Sequence, residues 1–158
     1  MPEYTKLFLF GQASYKTKGD EMIVDLFVLA EKAFGENGSN TIERTFHSIG
    51  VEKLPTKGAN FFVAIEMQAE PNDTGKHLMK VTLFNPSNIP IFVFGRDFEV
   101  TSRIAQNRGH VSFFFEKGRE MELREQGQHW FSLSVDGREL HRISLNITLI
   151  HPPIGKAN

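Results

Sequence analysis

The sequence predicts an all-β protein, an antiparallel two-sheet β-sandwich of about eight to nine strands. Three observations carry that prediction. Short segments alternate apolar and polar residues at every second position, as half-buried strands do. Clusters rich in Gly, Pro, Asn and Asp separate those segments at close intervals. Phenylalanine, a strand-favouring residue, fills 15 of the 158 positions, and no long helical stripe is present.

KLFLFGQASY, from Lys6 to Tyr15, begins with large apolar residues on both faces: Leu7 and Leu9 on one, Phe8 and Phe10 on the other. That suits a central strand. GDEMIVDLFVLAEKAFG admits two readings. As a helix, Asp20 is the N-cap, Met22, Leu26, Leu29 and Ala33 form the stripe, and Gly35 is the stop. As a strand, Met22, Val24, Leu26, Val28 and Ala30 line one face, and Ile23, Asp25, Phe27, Leu29 and Glu31 the other. The strand is favoured, because the period-two split is cleaner and β-branched residues cluster there. The choice for residues 20–34 stays open at this level.

GENGSN reads as a flexible loop, and TIERTFHSIGVEKLP as a weaker strand with Ile42, Arg44, Phe46 and Ser48 on one face. After a turn at Pro55 to Gly58, NFFVAIEMQAE sets Phe62, Ala64 and Glu66 opposite Phe61, Val63, Ile65 and Met67. PNDTGK turns the chain into HLMKVTLFN, where Met79, Val81 and Leu83 alternate with Lys80 and Thr82. NPSNIP is another turn. IPIFVFGRDFEV follows as a strand whose Pro90 marks an edge or a strand start. GHVSFFFEKG contributes Val111, Phe113 and Phe115, and REMELREQG contributes Met121 and Leu123. Residues 1–151 thus make one β-sandwich domain, and 152–158 (HPPIGKAN without its histidine) a loose tail.

In HWFSLSVDGRELHRISLNITLI, Asp136-Gly137 between alternating runs is a strong hairpin signal. A plain two-residue turn sets Phe131 opposite Arg142. It then puts Phe131, Leu133 and Val135 on the face opposite Ile143, Leu145, Ile147 and Leu149. A three-residue loop with Gly137 at positive φ, or a bulge near His141, reunites the two apolar sets, so such an irregularity is expected. Trp130, Ser132, Ser134, Leu140, Arg142 and Ser144 then share the other face.

Composition excludes several classes of function. Eighteen basic and nineteen acidic residues give a net charge of −1, which argues against an electrostatic grip on nucleic acid or on an anionic membrane. Without cysteine there are no disulfides, thiolate metal sites or cysteine nucleophiles. MPEYTKLFLFGQ has too short an apolar run for a signal peptide, and no run approaches a membrane span. A cytoplasmic location is expected.

GQHWFSLSVDGRELHRISLNI resembles the C-terminal hairpin of an uncharacterised family of small bacterial all-β proteins known only as a domain of unknown function. Gly127, His129, Phe131, Leu133, Val135, Asp136 and Gly137 occupy that family's frame. His77, Val81, Leu83, Asn85 and Pro86 carry a second likeness, to its middle strand and turn, and LFLFGQASYKTKGDEMIVDLF resembles its paired first strands. The His47 region looks like an insertion, and Asn88 stands where a turn glycine is expected. The resemblance implies an immunoglobulin-like sandwich, with a jelly-roll-like one as the variant, and transfers no catalytic residues. Fold analogy of this kind does not establish function.

Six histidines (His47, His77, His110, His129, His141 and His151) lack metal-ligand spacing and read as scattered rim groups, so no metal and no cofactor is expected. His129 and His141 with Glu139 are the one combination that could converge. Glu116, Glu120, Glu122 and Glu125, interleaved with Lys117, Arg119 and Arg124, read as a solvated face rather than paired catalytic carboxylates. There is no nucleophile elbow and no phosphate loop. The Asn37-Gly38-Ser39 and Asn146-Ile147-Thr148 glycosylation patterns are read as chance matches. Large side chains on both faces of several strands need cover from a loop or from another subunit. The expected function is therefore non-enzymatic: an interaction or assembly module that self-associates or binds a protein partner, with Phe92, Phe94 and Phe114 as interface candidates. The alternative is a small-ligand or carbohydrate-binding sandwich with Trp130 as stacking platform beside Ser132 and Ser134.

Overall fold

The computed structural model describes residues 4–9, 12–17 and 22–151. The expected tail 152–158 and the side-chain faces assigned to Leu7–Phe10 lie outside the described residues. In chain order the elements are β1 (Tyr4–Leu9), β2 (Gln12–Thr17), β3 (Ile23–Glu36), β4 (Ser39–Phe46), β5 (Ser48–Val51), β6 (Thr56–Lys57) and β7 (Phe62–Gln68). They continue as β8 (Gly75–Phe84), β9 (Pro90–Val100), α1 (Ser102–Gln106), β10 (His110–Glu116), β11 (Glu122–Leu123), β12 (Gly127–Val135) and β13 (Arg138–Leu149).

The chain is mostly β, and residues 23–36 are strand rather than helix. Sheets are more numerous than the expected two. Among the described residues they are a four-stranded sheet ordered β10-β7-β3-β4, a five-stranded sheet ordered β5-β13-β12-β8-β9, and the separate pairs β1-β2 and β6-β11. Lys6–Tyr15, expected as one strand, is split between β1 and β2, which pair with each other. The segment read as one weak strand from Thr41 is two, β4 and β5, in different sheets. β5, which the chain enters from the other sheet, runs parallel to β13, the one exception to antiparallel pairing among the described strands. No helix among the described residues is long and apolar enough to cross a membrane.

The two larger sheets contribute to a single apolar cluster. Val63, Ile65, Met67, Phe113 and Phe115 come from one sheet, and Met79, Val81, Leu83, Phe131, Leu133, Leu145 and Ile147 from the other. These sets are the alternating residues of β7, β10, β8, β12 and β13, as period two requires. Each such side chain contributes about 1.5–3 kcal/mol on burial, which offsets the entropy lost in ordering the chain. Rings also meet across the cluster: Phe94 and Phe115 have centroids 5.1 Å apart, and Phe98 and Phe113 5.2 Å.

Three bulges interrupt these ladders: one leaves Ile91 as the extra residue of β9 against β8, and the other two decide which side chains reach that cluster. In β3, Val24 pairs with Met67 and Leu26 with Glu66, leaving Asp25 as the extra residue. The inward set therefore passes from Met22 and Val24 to Phe27 and Leu29, instead of remaining on the even positions. In the β12–β13 hairpin, Phe131 pairs with Ile143 and Leu133 with His141, but Ser134 pairs with Glu139, so Leu140 is the extra residue. The turn itself has two residues, Asp136 (φ 52°) and Gly137 (φ 82°), both in the left-handed region that a type I′ turn requires. The apolar sets of the two strands meet because of the Leu140 bulge.

GENGSN is not a loop. Asn37 (φ 50°) and Gly38 (φ 78°) make a second tight turn joining β3 directly to β4. The tip of this hairpin lies over the outer face of its own sheet. The Asn40 amide donates to Glu66 of β7 and Ser112 of β10, and a Cβ on Gly35 would sit 3.4 Å from the Phe114 ring. Ala30, Ala33 and Ala64 are buried although they lie outside the central cluster.

Candidate functional site

β9 is the last strand of the five-stranded sheet, so one of its two main-chain edges is unpaired among the described residues. Phe92 and Phe94, the first two interface candidates, pack against the core. Their register explains this: Phe92 pairs with Leu83 and Phe94 with Val81, both fully buried. Lys117 lies over the Phe94 ring at 5.8 Å. Phe114 is half-buried and meets the β3–β4 hairpin, so an element of the same chain supplies cover there. Their neighbours Ile89 (56% exposed), Ile91 (37%) and Val93 (53%), with Leu78 (38%) on the adjoining strand, do reach solvent, as Ile23, Phe34 and Ile150 do elsewhere. Sequence parity could not choose between the two faces of IFVF, because both are large and apolar.

Trp130 is half-buried beside an open cleft of about 510 Å³ whose walls include Thr45, Phe46, His47, Arg142 and Ser144. Ser132 and Ser134, expected to accompany it, do not line that cleft. Ser132 is buried and its hydroxyl donates to Glu139. Arg142 grips Glu139 through Nε at 3.0 Å and Nη2 at 3.1 Å, and its guanidinium lies 5.2 Å from the Phe84 ring centroid. Burial of Glu139 opposes its ionisation, but Arg142 and Ser132 outweigh that and hold its carboxyl below the ordinary value.

The histidines separate into different environments. His129 is fully buried; its Nδ1 is 3.0 Å from the Gly127 carbonyl and its Nε2 has no partner among the described residues. His141 stands edge-on to Phe27, with centroids 6.1 Å apart, and Glu139 is taken by Arg142. The structure does not bring His129, His141 and Glu139 together as a ligand set. His77 lies at the wall of a second open cleft, of about 650 Å³, shared with Lys76, Asp97, Phe98, Glu99 and Asp136. Its Nδ1 is 2.7 Å from the Asp136 carboxylate and its Nε2 2.5 Å from the Asp73 carbonyl. Asp136 is fastened a second time, by the Leu78 amide at 2.9 Å.

His110 is the histidine whose setting the sequence did not suggest. Its Nε2 lies 2.8 Å from Asp25, and Glu66 completes a group whose ligand atoms all fall within 4.8 Å of one another. These residues are remote in sequence, and strand register alone assembles them. Two of the four glutamates in the 116–125 stretch are paired with interleaved cations, Glu120 with Lys117 at 2.9 Å and Glu122 with Arg124 at 3.1 Å, as a solvated face would have them.

No curated protein matches the chain. Among solved structures, an alkylpurine DNA glycosylase from Pseudomonas fluorescens, bound to DNA containing an abasic site analog, is similar in fold, with a TM-score of 0.52 at 10% identity. That alignment covers 81% of this chain, which spans only 30% of the glycosylase. An immunoglobulin-like protein from Pseudomonas aeruginosa aligns at a TM-score of 0.40 and 13% identity, over 82% of this chain and 98% of that one. A β-glucosidase from Listeria innocua, in complex with isofagomine, aligns at a TM-score of 0.40 and 10% identity, over 89% of this chain and 19% of the enzyme. The model of a family of unknown function, DUF6941, matches residues 25–148, from the bulge of β3 to the end of β13, and the chain belongs to that family.

Proposed function

We propose that this chain is a non-enzymatic interaction module of the cytoplasm, an immunoglobulin-like two-layer sandwich that associates with a second copy of itself through the β9 edge. The observation carrying this reading is the coincidence of a strand edge unpaired among the described residues with exposed Ile89, Ile91 and Val93. Natural edges are normally blunted by charge, bulges or cover; β9 carries one bulge, at Ile91, and the apolar stretch beyond it, Phe92–Phe94, is a template for strand addition. Residues Ile91–Phe94 carry no charge. A two-fold axis lets the same edge serve as both donor and acceptor surface. Light scattering coupled to size exclusion at high micromolar concentration is the test. A dimer is expected, with Val93→Lys shifting it to monomer; a strictly monomeric wild type overturns the reading.

The Trp130 cleft supports a second reading, small-ligand or carbohydrate binding, because a half-buried indole there adjoins Arg142, Ser144 and His47. Glycan-induced change in Trp130 fluorescence supports it, and silence across a broad panel defeats it.

A further inference from the structure

We propose that Asp25, Glu66 and His110 form a site for a divalent transition-metal ion of the zinc class, on the outer face of the four-stranded sheet. Each ligand comes from a different strand. Glu66 of β7 sits opposite Ser112 of β10, two residues from His110, and Asp25 is the extra residue where β3 bulges against Glu66. Bulges commonly re-aim a side chain, and this one sets a second carboxylate beside the first.

The spacing suits an ion. His110 Nε2 and Asp25 Oδ2 are 2.8 Å apart, and all three ligand atoms lie within 4.8 Å of one another. A tetrahedral ion with ordinary Zn–N and Zn–O bonds separates its ligands by about 3.3 Å, so small side-chain rotations bring the three to it. Glu66 is oriented by its neighbours: Asn40 Nδ2 donates to Oε2 at 2.7 Å and Ser112 Oγ at 3.4 Å. Asn40 also donates to Ser112 at 3.0 Å. Such outer contacts hold a ligating carboxylate in place before the ion arrives.

The donor set selects the ion. An imidazole nitrogen beside two carboxylates suits zinc or a neighbouring transition ion better than magnesium or calcium, which prefer all-oxygen surroundings. Two carboxylates stand within 4.8 Å of one another and of the imidazole, and a dication would offset their charge. His110 and Asp25 are both exposed, so the ion enters from solvent, which fills the remaining coordination positions.

Calorimetric titration of the full chain with zinc chloride tests the site, with magnesium and calcium chloride as competitors. One saturable equivalent is expected, insensitive to the competitors and weakened at least about 10-fold by His110→Ala, by Asp25→Asn and by Asn40→Ala. Histidine ring NMR signals of the wild type, followed through the same titration, give a reading independent of variant folding: the His110 resonances must move. Absence of saturable binding, affinity unchanged in His110→Ala, or zinc shifting other histidines while His110 stays put overturns the proposal.

Discussion

His77→Ala cuts a clamp between the Asp136 turn and the segment carrying Asp73. Both partners of the ring, the Asp136 carboxylate at 2.7 Å and the Asp73 carbonyl at 2.5 Å, accept hydrogen bonds. Both ring nitrogens must therefore donate, which only the imidazolium does. Burial of the ring opposes that charge. The bond to Asp136, the Asp73 carbonyl and the two nearby carboxylates outweigh it, and His77 titrates above its ordinary value. Burial likewise opposes ionisation of Asp136, but His77 and the Leu78 amide outweigh it and hold that carboxyl below its ordinary value. A hydrogen bond to a charged group contributes about 1.5–3 kcal/mol. The Asp136 side chain is 52% exposed, so solvent screening brings the expected loss for the variant to about 2 kcal/mol in all. The cation's contribution is fully present below the unfolded-state histidine value near 6.5 and fades as pH rises through the raised native value. The carboxylate's contribution is present above its unfolded-state value near 3.8 and fades as pH falls through the lowered native one. Urea unfolding of wild type and variant at about pH 5.5 and about pH 9 reads this out. The gap in stability is expected to be wide at the acidic condition and narrow at the alkaline one. A gap equal at both, or wider at alkaline pH, refutes the clamp.

Leu133→Ala removes a fully buried side chain from the shared apolar cluster and is expected to cost about 2–5 kcal/mol, seen as a lower urea midpoint at unchanged slope. Gly118→Ala places a Cβ in clash with the Ala59 carbonyl oxygen and the Phe61 ring, where the chain after β6 meets the chain before β11. Overpacking of this kind costs about 1–3 kcal/mol, so thermal unfolding shifts down, and an unchanged midpoint refutes the close approach.

What could be read from sequence depended on whether the deciding information was local. The β12–β13 hairpin was legible in outline because Asp136-Gly137 and the parity conflict between Phe131 and Ile143 lie within one short stretch. Residues 23–31 were legible as strand for the same reason. Their face was not, since the Asp25 bulge exists only against β7, which lies far along the chain. The composition of GENGSN suits a loop and a tight turn equally, and only positive φ at Asn37 and Gly38 distinguishes the turn. The exposed set Ile89, Ile91 and Val93 and the inward pair Phe92 and Phe94 could not be told apart before the pairing of β9 with β8 was known. The His110 cluster was least accessible, because each of its residues looks ordinary in its own strand and only the order β10-β7-β3 assembles it.

His47 alone separates Phe46, opposite Leu29 in one sheet, from Ser48, opposite Asn146 in the other. A single residue spans at most about 3.6 Å, which leaves no slack to take up a sliding strand. If β4 slips by one position against β3, β5 is dragged along β13 and Val51 is pulled from its place in the interior. The two larger sheets are thereby mechanically geared at this corner: misalignment in one cannot be hidden from the other, and only one combination of settings closes both.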